Sequence, residues 1–215
     1  MGIPTVLLLV IAVTAIVSFK GFNDYRFFSK YEFHVGNILR GEKYRMITSA
    51  FLHGDMMHLI FNMFTLFIFA PLVIGVFGAF FFLLLYAGSL LLGNILTLYF
   101  YKQVPNYRAI GASGAVMGIL YAAILINPNM ELFLMFIPIP IPAYIFGIGY
   151  LLYSIYGMKA NRDNIGHAAH FGGALGGLVL TLGRVPALLL QEPLIVGLLL
   201  VPIAILFYLV KAKKI

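Results

Sequence analysis

The sequence predicts an all-α membrane protein, a polytopic bundle of six or seven spanning helices. Of its 215 residues, 62% are hydrophobic and 10% are charged, whereas average soluble domains are about 25% charged. The mean hydropathy is +1.02, and a soluble fold of this length could not bury so much apolar surface. Because one span takes about 20 residues, the apolar stretches provide six or seven helices with short loops between them.

The individual spans follow from the apolar stretches and from the polar, glycine or proline breaks between them. Their predicted bounds are about 3–19, 56–77, 79–101, 111–126, 143–156, 165–182 and 193–210. The first span is expected to be retained, because neither a signal-peptide cleavage site nor the Arg- and Ser-rich composition of a transit peptide accompanies it.

The segments between the spans are predicted from their composition. Residues 20–49 are charged and aromatic, so they are expected to lie at the membrane interface as a long loop. Polar loops are expected at 102–109 and 158–164. The run Ile137–Pro142 alternates Ile with Pro and is expected to be extended, since each proline pushes its predecessor out of helical geometry. The fifth span is therefore short.

Several chemistries are excluded by what the chain lacks. It has no cysteine, so disulfides, thiol catalysis and cysteine-ligated metals are ruled out. The H-E-x-x-H pattern of zinc proteases is absent, and Asp24, Asp55 and Asp163 are not paired inside two spans. His167 lies one turn before His170, but carboxylates are too scarce to complete a metal site. We therefore predict no metal, no cofactor and no nucleic-acid partner.

Two clusters of small residues place a serine and a histidine inside predicted spans. Gly-Ala-Ser-Gly-Ala at 111–115 opens the fourth span, and Ala-His-Phe-Gly-Gly at 169–173 lies in the sixth. A hydroxyl and an imidazole form a nucleophile–base pair at about 2.6–3.2 Å, and helices approach that closely only where the intervening residues are Gly or Ala. Alternatively, such clusters are ordinary helix packing in membranes, and the G-x-S-x-G elbow of soluble hydrolases needs a preceding strand.

The spacing of the glycines indicates which helix faces meet. His170, Gly173 and Gly177 share one face of the sixth span. That face is expected to pack against Gly114 of the fourth span, with His170 opposite Ser113. Leu178 is expected on the lipid-facing side of the same helix.

Span 2 begins with polar residues that are unusual in a membrane helix. His58 and Asn62 are four residues apart and therefore share a face. Polar groups inside a span are costly and usually functional, although hydrogen bonding between helices is an equally open interpretation. His53, at the entrance of the helix, is expected to be a structural hydrogen-bonding residue.

Taken in order, the arrays His53-x4-His58-x3-Asn62, 111–115 and 169–173 resemble those of the rhomboid family of intramembrane serine proteases. The resemblance covers residues 1–184 and implies a six-helix rhomboid-like core, to which 185–215 add a seventh transmembrane helix and a basic tail. It implies that Ser113 is the nucleophile and His170 the general base, and that His58 and Asn62 join backbone N–H groups in the oxyanion hole. The implied reaction is cleavage of single-span membrane proteins near a membrane boundary.

The resemblance also assigns supporting roles and shows two departures. His53, Gly111, Gly114 and Gly173 would support the site. Arg45 follows Tyr44 where the family has a Trp-Arg pair in its first loop. Met117 stands where bacterial relatives often place a tyrosine that stacks on the catalytic histidine, and methionine can contact a ring through its sulfur.

Two other function classes stay open. A catalytically inactive relative that binds membrane proteins would share the fold but typically lacks one member of the serine–histidine pair. A small transporter would need broken helices and inverted repeats, and no repeat matches the proline run. The expected partners are transmembrane protein substrates and the lipid bilayer, and the sequence does not define an oligomeric state.

The sequence also predicts how a substrate reaches the site and how the protein is oriented in the membrane. Span 5 is expected to be a lateral gate, and His53, Asn106 and Asn164 are expected to line a cavity open to water. The protein is expected to be multi-pass in the plasma or cell membrane, and the resemblance implies an extracytoplasmic active-site face. The positive-inside rule favours the opposite orientation, because nearly all Lys and Arg residues lie on that face and Arg184 lies on the other.

Overall fold

The helices predicted from the apolar stretches are present, with shifts of a few residues at their ends. The computed structural model describes residues 2–134, 137–160 and 166–212. Within these ranges the α-helices are α1 (Thr5–Asn23), α2 (Tyr25–Tyr31), α3 (Val35–Leu39), α4 (Arg45–Thr48), α5 (Met56–Tyr101), α6 (Ser113–Ile126), α7 (Ala143–Ala160), α8 (His167–Arg184), α9 (Leu188–Gln191) and α10 (Pro193–Lys211). The shorter elements are a 3₁₀ turn (Ser49–Phe51) and the strands β1 (Phe33–His34), β2 (Arg108–Ala109), β3 (Glu131–Leu134) and β4 (Ile137–Pro142).

Helix α5 contains the predicted second and third spans. The helical backbone of α5 is interrupted at Gly78, where φ is 82° and ψ is 166°. Glycine reaches this region without a steric penalty because it has no Cβ. The helical segments 56–77 and 79–101 are therefore two spans, and the predicted break between them is confirmed.

Helices α5, α6 and α8 form the centre of the bundle. Every residue from Gly114 to Leu125 on α6 is buried, so this helix has almost no contact with lipid. Around the centre, α1 packs on α5, α7 packs on α8 and α6, and α10 packs mainly on α7. The all-α polytopic bundle is thus confirmed.

Length and apolarity alone would identify fewer spans than the fold contains. Across the described ranges, α1, α5 and α10 are the helices long and apolar enough to cross a membrane, and α6 is a shorter apolar helix of 14 residues. The difference from the predicted number has a physical reason. Helix α5 holds two spans. Helices α6 and α8 are enclosed by other helices, so their surfaces need not be as long or as apolar as the hydrocarbon core of the bilayer.

The loop after α1 does not cross the bundle and is built around one buried cation. Helix α1 runs four residues further than predicted, and Lys20 pairs with Asp24 at 3.2 Å just beyond its end. The guanidinium of Arg45 is buried and donates to Glu42 at 2.6 Å and to the carbonyl oxygens of Ser29 at 2.8 Å and Glu32 at 2.9 Å. Arg45 therefore holds the turns of this loop together.

The first loop and the segment before α6 lie at the same end of the bundle. Strand β1 pairs antiparallel with β2, with Phe33 opposite Ala109, and Arg108 bonds to the carboxylate of Glu32. The backbone N–H of Gly111 donates to the carbonyl of Ser49 at 3.0 Å. These contacts place the start of α6 directly beneath the first loop.

The proline run is extended, as predicted, but it also forms a hairpin that the sequence analysis did not anticipate. Strand β4 pairs antiparallel with β3, with Leu132 opposite Ile141 and Glu131 opposite Pro142. Proline at alternate positions removes only every second N–H donor, so an edge strand of this composition can still pair along one side. The helix that follows reaches Ala160, so the first three residues of the predicted loop at 158–164 are helical.

Candidate active site

Ser113 and His170 are in hydrogen-bonding contact, with Ser113 Oγ 2.8 Å from His170 Nε2. Ser113 is the first residue of α6, and His170 lies one turn into α8 with no solvent exposure. Gly111 precedes the serine with φ of 108°, a left-handed conformation that ends the loop and lets the helix start at Ser113. The pair therefore sits at the point where two central helices begin.

Glycines bring the two helices close enough for this contact. A Cβ on Gly173 would overlap the carbonyl oxygen of Gly114, and a Cβ on Gly177 would overlap that of Gly118. A Cβ on Gly114 would lie 3.2 Å from the carbonyl oxygen of Ala169. The α6 and α8 backbones thus touch along their glycine faces, as small-residue packing in membranes allows.

His58 and Asn62 lie beside the backbone that precedes the serine and line the same cavity as Ser113 and His170. A Cβ built on Gly111 would lie 2.7 Å from His58 Nε2 and 3.8 Å from Asn62 Nδ2. The amide of Asn62 also donates to the carbonyl of His58 at 3.1 Å. Both side-chain nitrogens therefore face the backbone immediately before Ser113.

His53 holds the segment before α6 rather than lining the space above the serine. It is fully buried, with Nδ1 2.8 Å from Ser18 Oγ, and its Nε2 accepts from the backbone N–H of Ala112 at 3.4 Å. Burial lowers the pKa of His53 to about 3, so the ring is neutral near neutral pH and Nε2 remains an acceptor. The structural expectation for His53 agrees with this geometry, but the expectation that it lines the cavity is wrong.

A cavity of about 820 Å³ opens above the serine and histidine, between the first half of α5 and α7. Its walls are mostly apolar, and its polar lining residues include both members of the Ser113–His170 pair. The lining residues are Gly54, Asp55, Met57, His58, Phe61, Asn62, Thr65, Ile110, Ser113, Val116, Met117, Leu120, Phe146, Tyr150 and His170.

The other residues predicted to line this cavity have different positions. Asn106 is exposed and lies with Arg45 in a separate polar pocket beneath the first loop. Asn164 lies outside the described residues. Arg45 thus supports the first loop and not the cavity.

Helix α7 supplies two contacts to His170 that the sequence analysis missed. Ser154 Oγ is 3.1 Å from His170 Nδ1, and the ring of Tyr150 lies 5.1 Å from the imidazole at an interplanar angle of 40°. Their four-residue spacing, which puts them on one helix face, was the available signal. Met117 is buried and lines the cavity from α6.

The described residues include no group of three or more His, Asp or Glu side chains placed to hold a metal ion. His167 and His170 are neighbours, with ring centroids 5.9 Å apart and planes at 87°. The chemistry that this arrangement can perform is proton transfer between a hydroxyl and an imidazole in an apolar cavity.

Comparison with known proteins identifies the class. The Rhomboid domain matches residues 40–187, more than half of the chain, so the chain belongs to the rhomboid family. It is 32% identical over 185 residues to RHOMBOID-like protein 12, mitochondrial, of Arabidopsis thaliana, a match that covers 79% of this chain and 55% of that protein. The resemblance stated from the sequence motifs is thereby confirmed, and with its apolar helices the chain is an integral membrane protein.

Two further relatives show how widely the family is spread. Over 82 residues the chain is 42% identical to the candidate rhomboid protease YdcA of Bacillus subtilis (strain 168), covering 38% of this chain and 40% of that one. Over 139 residues it is 30% identical to the presenilin-associated rhomboid-like protein, mitochondrial, of Homo sapiens, covering 62% and 36%. The chain spans about half or less of the length of these relatives, and two of the three are described as mitochondrial.

Proposed function

We propose that this protein is an intramembrane serine endopeptidase that cleaves single-span membrane proteins near a membrane boundary. The observation that carries the proposal is the 2.8 Å contact between Ser113 Oγ and His170 Nε2 inside a largely apolar cavity. A hydroxyl is a weak nucleophile on its own, and an imidazole at hydrogen-bonding distance can take its proton. Membership of the rhomboid family supports the same chemistry.

The two side chains would divide the reaction into two steps. Ser113 Oγ attacks the carbonyl carbon of the scissile bond while His170 Nε2 takes the hydroxyl proton. The tetrahedral intermediate collapses when the histidine gives that proton to the leaving amine, which leaves an acyl ester on Ser113. Water then enters the cavity, loses a proton to His170 and attacks the ester. When the second tetrahedral intermediate collapses, His170 returns that proton to Ser113 Oγ, and the acid product and the free serine are released.

The negative oxygen of the intermediate needs donors that are already in place. The first backbone N–H groups of α6 have no partner within their helix, and the positive end of its dipole lies at Ser113. His58 Nε2 and Asn62 Nδ2 approach the same segment from α5. These groups together form the proposed oxyanion hole.

The cavity supports a substrate that enters from the lipid. Its long walls are α5 and α7, with Met57, Phe61, Phe146 and Tyr150 among the lining residues. A helix hides its carbonyl groups in hydrogen bonds, so a transmembrane substrate must unwind before the serine can attack. Small or helix-breaking residues near the end of the substrate span favour that unwinding, and cleavage is expected at a small residue.

The site opens toward the face that carries the first loop, because β1 pairs with β2 just before α6. Arg184, over the ring of Phe81 at 6.0 Å, lies near the break at Gly78 and therefore at the opposite end. We propose that the first-loop face is extracytoplasmic, although the distribution of Lys and Arg favours the reverse under the positive-inside rule. Residence in the plasma or cell membrane likewise stays a prediction.

The proposal is tested by purifying the protein in detergent and presenting a single-span helical substrate. Wild type should cleave it at one site, and the matched variant Ser113→Ala should not. Cleavage by Ser113→Ala at the wild-type rate would overturn the proposal. A folded wild type that binds the substrate and leaves it intact would instead support the alternative of an inactive, membrane-protein-binding relative.

A further inference from the structure

We propose that helix α7 positions the general base, with Ser154 accepting a hydrogen bond from the Nδ1–H of His170 and Tyr150 fixing the plane of its ring. The inference rests on the proposed function, since it concerns how His170 is held for proton transfer. Ser154 is a positioning residue here, because it contacts the base and not the substrate.

The imidazole of His170 is bonded on both sides. Its Nε2 lies 2.8 Å from Ser113 Oγ on α6, and its Nδ1 lies 3.1 Å from Ser154 Oγ on α7. Both Ser154 and His170 are fully buried. The ring therefore connects two helices, and each helix controls one of its nitrogens.

The chemistry of the base requires a particular partner at Nδ1. A neutral imidazole carries a hydrogen on only one of its two nitrogens. A ring that accepts the proton of Ser113 at Nε2 must therefore carry its own N–H hydrogen on Nδ1. An Nδ1–H buried without an acceptor is costly. In the proposed arrangement the hydroxyl of Ser154 accepts it, so the tautomer that can act as a base has a partner at both ring nitrogens. A carboxylate does this in the familiar serine protease triad, whereas here the group is uncharged.

Tyr150 adds a second constraint from the same helix face. Its ring lies 5.1 Å from the imidazole, tilted by 40°, one turn before Ser154. This tyrosine contact with the base comes from α7 and not from α6, where Met117 lines the cavity. One turn beyond Ser154, a Cβ on Gly157 would overlap the ring of His167, so α7 lies close against α8 along this face.

Helix α7 therefore has two roles that depend on each other. It forms one wall of the cavity through Phe146 and Tyr150, and it holds the base through Tyr150 and Ser154. A movement of α7 that widens the cavity for a substrate also removes the Nδ1 partner of His170. The base is aligned only when α7 has returned to α8, which couples substrate entry to proton transfer.

The test compares Ser154→Ala with Ser154→Thr, which restores the hydroxyl. A lost neutral hydrogen bond at the base should lower kcat about tenfold, leave KM unchanged, and slow labelling of Ser113 by a fluorophosphonate in the same proportion. Ser154→Thr should recover most of both rates. The matched control is Ser89→Ala, which removes another buried hydroxyl that has no hydrogen-bond partner among the described residues and should keep wild-type kinetics.

Three results would overturn the proposal while wild type remains active and Ser113→Ala inactive. The first is a kcat for Ser154→Ala within twofold of the wild-type value. The second is a kcat for Ser154→Ala above the wild-type value, which would mean that the hydroxyl donates to Nδ1. The third is a folded Ser154→Thr whose kcat is as low as that of Ser154→Ala. An inactive and unlabelled wild type would instead overturn the proposed function itself. If Ser154→Ala does not fold, Tyr150→Leu decides, because loss of the ring should lower kcat and the rate of labelling, and wild-type values of both would overturn the proposal.

Discussion

Gly111 and His58 approach each other so closely that no side chain fits between them. A Cβ on Gly111 would lie 2.7 Å from His58 Nε2, and the φ of 108° at Gly111 would strain any other residue. The residue two before the serine is thus glycine for two independent reasons. The same short distance places the His58 ring next to the backbone that leads into α6 and Ser113.

The first prediction concerns covalent labelling. A fluorophosphonate should modify Ser113 in the wild-type protein, since a serine activated by an imidazole attacks phosphorus as it attacks a carbonyl. His170→Ala should abolish the labelling by removing the base. Mass spectrometry of the labelled peptide identifies the modified residue, and label retained by Ser113→Ala would show that another residue is the nucleophile.

The second prediction concerns the oxyanion. Asn62→Ala and His58→Ala should each lower kcat, and loss of a single donor typically costs about 10²–10³. Thr65→Ala is the matched control, because Thr65 lines the same cavity one turn further along α5 and its hydroxyl bonds to the carbonyl of Phe61 at 2.7 Å. A purely structural role would lower the melting temperature and leave the turnover of the folded fraction normal, so both quantities are measured.

The third prediction concerns the contact between α6 and α8. Gly173→Ala should already inactivate the protein, because its methyl group would overlap the carbonyl oxygen of Gly114. A displacement of about 1 Å at reacting atoms can cost about 10²-fold in rate, and Gly173→Leu or Gly114→Leu should do at least as much.

Two controls on α8 make this prediction specific. A Cβ on Gly183 meets nothing within 4 Å, so Gly183→Ala should keep wild-type turnover. Val179 is 55% exposed, so Val179→Phe on the lipid-facing side should also be tolerated. Full activity in Gly173→Leu would mean that the two helices do not set the distance between Ser113 and His170.

The fourth prediction concerns substrate entry between α5 and α7. Because the chain has no cysteine, the pair Phe61→Cys and Phe146→Cys on the two cavity walls can be joined selectively with a bismaleimide. The crosslink should slow cleavage of a full transmembrane substrate, while labelling of Ser113 by a small fluorophosphonate stays close to the uncrosslinked rate. Equal cleavage with and without the crosslink would place entry elsewhere.

A related comparison tests the need for unwinding. One substrate carries an Ala- and Gly-rich end to its span, and its partner has that end replaced by leucines. Only the first should be cleaved at an appreciable rate, because each glycine weakens the helix that hides the scissile carbonyl by about 1 kcal/mol relative to alanine. Equal cleavage of the two would remove unwinding as a requirement.

The helices and the contact between Ser113 and His170 could be anticipated because hydropathy and glycine spacing are local signals. Leu178 shows where such signals fail. It was expected to face lipid, yet it is 1% exposed, because α8 is enclosed on most sides and a single helix does not reveal how many neighbours it has. A lipid-facing substitution has to be made at Val179 instead.

Ser154 and Tyr150 were missed for a different reason. Their four-residue spacing places them on one face of α7, but the sequence does not say which neighbour that face meets. Only the approach of α7 to α8, with Gly157 against His167, turns that face toward the base. The strand pairing of the proline run was missed similarly, since the partner segment at 131–134 carries no strand signal of its own.

Helix α6 is short for a membrane, and this length has a consequence for the lipid. Fourteen residues rise about 21 Å, whereas the hydrocarbon core of a bilayer is about 30 Å thick. If the C-terminal end of α6 reaches one surface, Ser113 lies roughly 9 Å beneath the other. The thickness of the surrounding bilayer then sets how deep a substrate bond must sink to meet the serine, so acyl-chain length should select which bond of a given span is cut.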